Sequence, residues 1–138
     1  MAIKGGCYCG AVRYEADGDV MIRAQCHCRE CQYFSGGHPN VIAGVDKTGF
    51  RYTATAPKSF TRSDIANPVT REFCANCGTQ ILTRSPALPE LVLIKVGTLD
   101  TPDIFGAAQI AIHLADQQSF HHVPSDVPCF ERTPPSAA

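Results

Sequence analysis

Short alternating or apolar stretches, separated by turn-forming residues, run through most of the chain. Residues 11–16 alternate apolar and polar side chains, the period of a half-buried strand. Asp17-Gly18 turns the chain, and residues 20–25 are expected to return as the second arm of a hairpin. Residues 40–45, 50–53, 58–62, 69–73 and 79–84 read as further strands. Breaks at Ser35-Gly36-Gly37, Asp46-Lys47-Thr48-Gly49, Pro57 and Asn67-Pro68 separate them. Residues 91–96 form the clearest buried strand. Residues 107–114 read as another central strand, although their alanines also permit a helix. No long helix is required. The pattern predicts one mainly-β domain over residues 1–132, built of antiparallel sheets, with a frayed tail at 133–138.

The totals narrow the function. A length of 138 residues suits one domain, and an apolar fraction of 44% can build a core. A net charge of -1 supplies no strong field for nucleic acid or an anionic membrane, so neither partner is expected. No apolar run approaches the roughly 20 residues that span a bilayer. The start, Met1-Ala2-Ile3-Lys4-Gly5-Gly6, has no signal-peptide core, which points to the cytoplasm and to reduced thiols. Oligomeric state is not legible in these totals.

Seven of the eight cysteines fall into three tight groups: Cys7-Tyr8-Cys9, Cys26-His27-Cys28-Arg29-Glu30-Cys31 and Cys74-Ala75-Asn76-Cys77-Gly78. Spacings this short suit chelation better than disulfides, and all-thiolate sites favour Zn²⁺. Residues two apart on a strand share a face, so Cys7 can aim with Cys9, and Cys26 with Cys28. One partition joins Cys7 and Cys9 to Cys74 and Cys77 in a closed four-thiolate site. It leaves Cys26, Cys28 and Cys31 as a three-ligand site, with water, a substrate thiol or Cys129 to complete it. The other joins the middle group to the Cys74 knuckle. Spacing alone leaves both open.

The motifs Gly6-Cys7-Tyr8-Cys9-Gly10, Cys26-His27-Cys28-Arg29-Glu30-Cys31 with Ser35-Gly36 behind it, and Phe73-Cys74-Ala75-Asn76-Cys77-Gly78-Thr79 resemble the glutathione-dependent formaldehyde-activating enzyme family, which includes centromere protein V. Val96-Gly97-Thr98-Leu99-Asp100 and Val127-Pro128-Cys129-Phe130-Glu131 extend the resemblance over nearly the whole chain. It implies a fold of antiparallel sheets with zinc-bearing hairpins, also used by Rab-accessory zinc proteins and R-type methionine sulfoxide reductases. It implies a structural zinc on Cys7, Cys9, Cys74 and Cys77, and a labile, catalytic zinc on Cys26, Cys28 and Cys31. The implied reaction is a carbon–sulfur lyase running in reverse, condensing formaldehyde with glutathione as co-substrate. The chain departs from the family at Gln32, where a basic residue is common, and in lacking a tryptophan near its C-terminal end.

Other residues carry weaker signals. Ser35, Gly36 and Gly37 read either as the wall of a substrate and cofactor pocket or as a plain turn. His27 is expected to face away from its cysteine neighbours, and His38 to line the same pocket or be an ordinary polar residue. His121 and His122 would point to opposite sides of a strand. Arg51, Lys58, Arg62 and Arg71 read as scattered surface charge, with attraction of glutathione carboxylates as the alternative. Cys129 is expected to be a small buried side chain rather than a resolving thiol. The function expected is therefore a thiol–aldehyde lyase acting on small molecules. A zinc-stabilised binding module, or a thiol oxidoreductase using Cys129, stands as the alternative.

Overall fold

Alternation along the strands builds two sheets that share one apolar interface. The computed structural model describes residues 2–135. Its strands are β1 (Ile3–Gly6), β2 (Arg13–Ala16), β3 (Ile22–Cys26), β4 (Asn40–Asp46), β5 (Phe50–Tyr52), β6 (Lys58–Thr61), β7 (Thr70–Phe73), β8 (Gln80–Arg84), β9 (Leu91–Lys95) and β10 (Ile110–Ile112). A single six-residue helix, α1 (Arg29–Phe34), follows β3 among the described residues. The small sheet has the order β1-β2-β5, and the large one β10-β3-β4-β9-β8-β7-β6. All pairs are antiparallel except β10 with β3. The protein is mainly β, as the alternation predicts.

Residues directly opposite across a ladder share a face, so register assigns each side chain to a side. One face of the large sheet presents Val45, Leu82, Val92 and Ile94, all fully buried. They pack with Ile3, Val12, Tyr14 and Ala16 of the small sheet in one core. Tyr14 stacks on Phe50 and shares a hydrogen bond with the Thr98 hydroxyl at 2.8 Å, so its polar end is satisfied inside that core. Gly5 lies against the same spot. A Cβ there would sit 2.3 Å from the Thr98 carbonyl oxygen, so only glycine allows β1 to approach Leu99.

Two expectations are corrected. Residues 20–25 do not return as a hairpin partner of residues 11–16. β2 pairs with β1 and β5, while β3 pairs with β4 in the other sheet. The chain crosses between sheets through residues 17–21, with the Met21 amide donating to the Gly44 carbonyl at 2.8 Å. Residues 107–114 supply only a three-residue strand, and it lies at the edge of the large sheet rather than its centre. Its apolar character has another cause. Residues 128–132 lie along β10, with Ala111 donating to Pro128 and Phe130 to Ala111, each at 3.0 Å, and Ala111 is fully buried. The tail expected to fray begins at 133, and its residues 136–138 lie outside the described ones.

The shared core sets the stability. Ile94→Ala is expected to cost about 2–5 kcal/mol in urea denaturation, the range for emptying a close-packed site. Val41→Ala, on a side chain 37% exposed, should cost far less.

Candidate functional site

Two groups of cysteines converge. The Sγ atoms of Cys7, Cys9, Cys74 and Cys77 all lie within 4.8 Å of one another, and so do those of Cys26, Cys28 and Cys31. The first partition of the cysteines is therefore the one that the fold assembles, and both groups could hold a metal ion. Cys129 joins neither group.

The four-sulfur group bridges the sheets. Cys7 and Cys9 follow β1 of the small sheet, and Cys74 and Cys77 lie between β7 and β8 of the large one. Each arm is a tight knuckle. The Gly10 amide donates to the Cys7 carbonyl at 3.1 Å and the Gly78 amide to the Cys74 carbonyl at 2.9 Å. Both glycines have φ near +80°, at 83° and 79°, a conformation that other residues resist. Backbone amides point at the sulfurs: Val12 to Cys7 at 3.2 Å, and Asn76 and Cys77 to Cys74 at 3.4 Å each. The Asn76 side-chain amide adds a bond to Cys9 at 3.3 Å. Such donors favour thiolates. The Thr79 hydroxyl and backbone amide hold the Cys77 thiol down at about 5.

Zinc at about 2.3 Å from four sulfurs sets tetrahedral edges of about 3.8 Å. Cys7 and Cys9 Sγ are 3.5 Å apart, and Cys9 and Cys74 Sγ are 3.8 Å apart. The donor set and its spacing fit a closed four-thiolate zinc site.

The three-sulfur group sits where β3 runs into α1. Cys26 ends the strand, Cys28 caps the helix by accepting from the Cys31 amide at 3.3 Å, and Cys31 lies in its first turn. The two-apart strand geometry expected for Cys26 and Cys28 is thus replaced by a strand–cap–helix corner. Cys26 and Cys31 are buried, and Cys28 is half-buried. Hydrogen bonds from Cys26 and Cys28 hold Cys31 well below an ordinary thiol, with help from the Lys95 charge and the Asn40 amide. The same hydrogen bonds and burial push Cys26 up. Asn40 Nδ2 donates to Cys31 Sγ at 3.5 Å.

The second face of the large sheet explains this company. Register places Cys26, Asn40, Ile42, Lys95, Leu93, Thr83, Arg71 and Phe60 on one side, opposite the apolar core. Asn40, Lys95, Thr83 and Arg71 are all buried there. Lys95 Nζ donates to the Thr83 hydroxyl at 3.0 Å, and burial lowers the Lys95 ammonium to about 8 although the Cys31 thiolate opposes that shift. Arg71 lies against the Phe34 ring of α1, 4.1 Å from its centroid, and reaches Glu30 at 3.4 Å.

Several expectations change here. Arg71 is buried, not part of a scattered surface set. Arg51 pairs with Glu15 and Asp17, and Arg62 with Asp64, so those two are engaged locally. Cys129 is exposed, not buried, and its thiol donates to the Val127 carbonyl at 3.3 Å. Its segment lies outside β10, on the sheet's rim, which leaves the side chain open. His27 is fully buried, and its Nδ1 meets His121 Nδ1 at 2.9 Å. His121 Nδ1 also accepts from the Gln118 amide, and its Nε2 faces the Gly37 carbonyl at 2.7 Å. His121 therefore carries its proton on Nε2, and His27 donates from Nδ1. His122 follows in irregular chain, not in a strand.

Gln32, at the position where the family often has a basic residue, is buried and spends its amide on the His27 carbonyl at 2.8 Å and the Asp116 carbonyl at 3.0 Å. It ties α1 to the chain beyond β10. The Ser35 hydroxyl donates to the Cys31 carbonyl at 2.9 Å, and the Gly37 amide donates to the Gln32 carbonyl at 2.8 Å. Ser35, Gly36 and Gly37 thus close the helix that carries Cys31. Sequence reasoning passed over Lys95 and Asn40. A lysine inside the apolar run 91–96 was the available signal, since burying a charge is costly without a purpose or a partner.

The geometry defines a mainly-β protein with two convergent cysteine sites, one spanning two sheets and one at a strand–helix corner. The sequence profile described as "Glutathione-dependent formaldehyde-activating enzyme" matches residues 2–116. The chain belongs to the glutathione-dependent formaldehyde-activating enzyme family. A Halomonas elongata protein provisionally named as such an enzyme is 26% identical over 108 residues, which make up 73% of this chain and 68% of that protein. The crystal structure of a Rhodobacter sphaeroides protein shares the fold at a TM-score of 0.61 and 21% identity, covering 76% of this chain and 96% of that one. Among the described residues no helix is long and apolar enough to cross a membrane.

The two groups should differ in what they support. Cys74→Ser is expected to lose bound zinc and, with it, on the order of 10 kcal/mol of folding free energy. Cys28→Ser should lower zinc content by one ion and leave the circular dichroism spectrum and melting cooperativity intact. Measuring metal per chain beside a thermal melt checks both.

Proposed function

We propose that the protein is a zinc-dependent enzyme of the carbon–sulfur lyase type. It acts on the adduct of glutathione, or a related thiol, with formaldehyde or another small electrophile. Cys7, Cys9, Cys74 and Cys77 are assigned to a structural zinc, and Cys26, Cys28 and Cys31 to a catalytic one. Residues 1–132 are assigned to one metal-bearing domain, because residues 128–132 complete the edge beside β10.

The observation that carries this reading is the three-sulfur corner. Three cysteine sulfurs converge beside a buried lysine, and no fourth cysteine, histidine or carboxylate joins them among the described residues. Three protein ligands are the mark of a working zinc, whereas four close a structural one. When bound there, zinc supplies an open coordination position and keeps a visiting thiol deprotonated.

The chain's own residues set the conditions. Lys95 offsets the negative charge that three thiolates gather in a buried place. Asn40 orients Cys31, and the Cys31 amide orients Cys28. The Ser35-Gly36-Gly37 turn holds the far end of α1 and is assigned to the rim of the substrate pocket. In the overall reaction a carbon–sulfur bond forms between the thiol sulfur and the carbonyl carbon. The carbonyl π pair moves to oxygen, and oxygen ends with the proton that the thiol gives up.

Cobalt substitution tests the assignment, because sulfur ligation alters its charge-transfer bands. Glutathione should shift the spectrum of the two-cobalt protein. Cys31→Ser should lose one cobalt and the response together. Two cobalt ions per chain with a spectrum indifferent to glutathione would sink the reading in favour of a purely structural pair.

A further inference from the structure

The three sulfurs of the corner lie on a short piece of chain that cannot hold its own shape. Cys31 sits in α1, and a helix of six residues is too short to persist by itself. Cys26 and Cys28 precede that helix, so the angle at which α1 leaves β3 sets how far Cys31 Sγ lies from the other two sulfurs. Contacts from elsewhere in the chain must help to fix that angle. A strap running from Ile112, the last residue of β10, to His121 supplies several of them.

The strap grips the corner through backbone and side chain alike. The His27 amide donates to the Ile112 carbonyl at 2.9 Å, and the Arg29 amide reaches the Asp116 carboxylate at 3.3 Å. Gln118 Nε2 donates to the Gln32 side-chain oxygen at 3.2 Å. His121 ends the strap and uses both ring nitrogens. Its Nδ1 accepts from His27 Nδ1 at 2.9 Å, and its Nε2 donates to the Gly37 carbonyl at 2.7 Å. His27 stands between Cys26 and Cys28, and Gly37 belongs to the turn that closes α1. One imidazole thus spans both ends of the segment that carries the three sulfurs.

His27 supplies the second observation. Its ring is fully buried, and its Nε2 has no hydrogen-bond partner in the protein. The bond to His121 is therefore the one polar contact that its ring makes within the chain. Removing His121 would leave both ring nitrogens of His27 unanswered in a buried place, at a cost that a shift of the backbone between Cys26 and Cys28 would relieve.

We infer that His121 is a positioning residue for the three-cysteine corner. By bridging His27 and Gly37 it holds Cys26, Cys28 and Cys31 in the arrangement that chelates an ion, without touching a sulfur itself. The inference rests on the assignment of a zinc to those three cysteines and is independent of the reaction which that zinc serves.

Chelator competition on the zinc-loaded protein tests it, with the ion that Cys28→Ser lacks identifying the corner zinc. His121→Ala should loosen the corner zinc about tenfold or more, as loss of a group that orients metal ligands does, and leave the four-sulfur zinc held as before. His121→Asn, whose amide oxygen stands near the place of Nδ1, should keep more of the affinity than His121→Gln, which reaches Gly37 but not His27. Unchanged corner affinity in a folded His121→Ala protein overturns the inference. Equal loosening of both ions does so too, because it marks a contact that serves the fold alone. Should His121→Ala not fold, the two amides decide: Gln holding the corner zinc as tightly as Asn overturns the inference. A zinc-loaded protein that carries one ion refutes the corner as a metal site and overturns the inference with it. Two ions whose release is indifferent to residue 121 overturn the inference and leave that assignment standing.

Discussion

The two-sidedness of the large sheet is the constraint on which the rest depends. Pleating sends successive side chains to opposite faces, so β4, β9, β8 and β7 each divide their residues between two environments. On one side Val45, Val92, Ile94 and Leu82 meet the small sheet and bury apolar surface. On the other, Asn40, Lys95, Thr83 and Arg71 form a buried polar row under α1. A slip of one residue in any ladder would put lysine and arginine into the core and isoleucine under the helix. Register thus protects the core and aligns the polar row with the cysteine corner by the same geometry.

The two cysteine groups use this frame differently. The four-sulfur group closes the open end between sheets, joining residues 7 and 9 to 74 and 77. Its amide donors come from knuckle backbones, so its geometry is local once the two arms meet. The three-sulfur group closes nothing. It lies at a corner within one stretch of chain, and its neighbours Asn40 and Lys95 come from strands that the fold brings alongside. Both groups could hold a metal ion in this member of the glutathione-dependent formaldehyde-activating enzyme family.

Charge balance differs along the polar row. Lys95 is buried near the cysteine corner, where the Cys31 charge opposes the lowering that burial imposes on its ammonium. Arg71, two strands further along, has no thiolate to answer it and leans on an aromatic ring and a distant glutamate. The polar row therefore carries two buried cations, Lys95 near the cysteine corner and Arg71 beside a cavity that Tyr33, Phe34 and Phe60 line. The apolar walls around Arg71 strengthen any ionic contact made there, since fewer waters compete.

Local physics made much of the molecule legible from the amino-acid order. Alternation located most of the strands, and the short Cys-x-Cys and Cys-x-x-Cys spacings, with glycine behind, marked knuckles that their own backbone shapes. Those features depend on residues within a few positions of each other. Pairing across distance was not legible. Whether residues 20–25 would fold back on β2 or cross to the other sheet turned on the competing ladder with β4. Cys129 looked buried by composition, yet its position on the outer rim left it exposed. Arg71 read as scattered surface charge, and Lys95 drew no reading, until register put both on the cysteine face. The sequence determined the local conformations and the metal-seeking chemistry, because propensity and chelate spacing act over short range. The tertiary structure decided which cysteines meet and which cations attend them, because only packed sheets bring distant residues to one face.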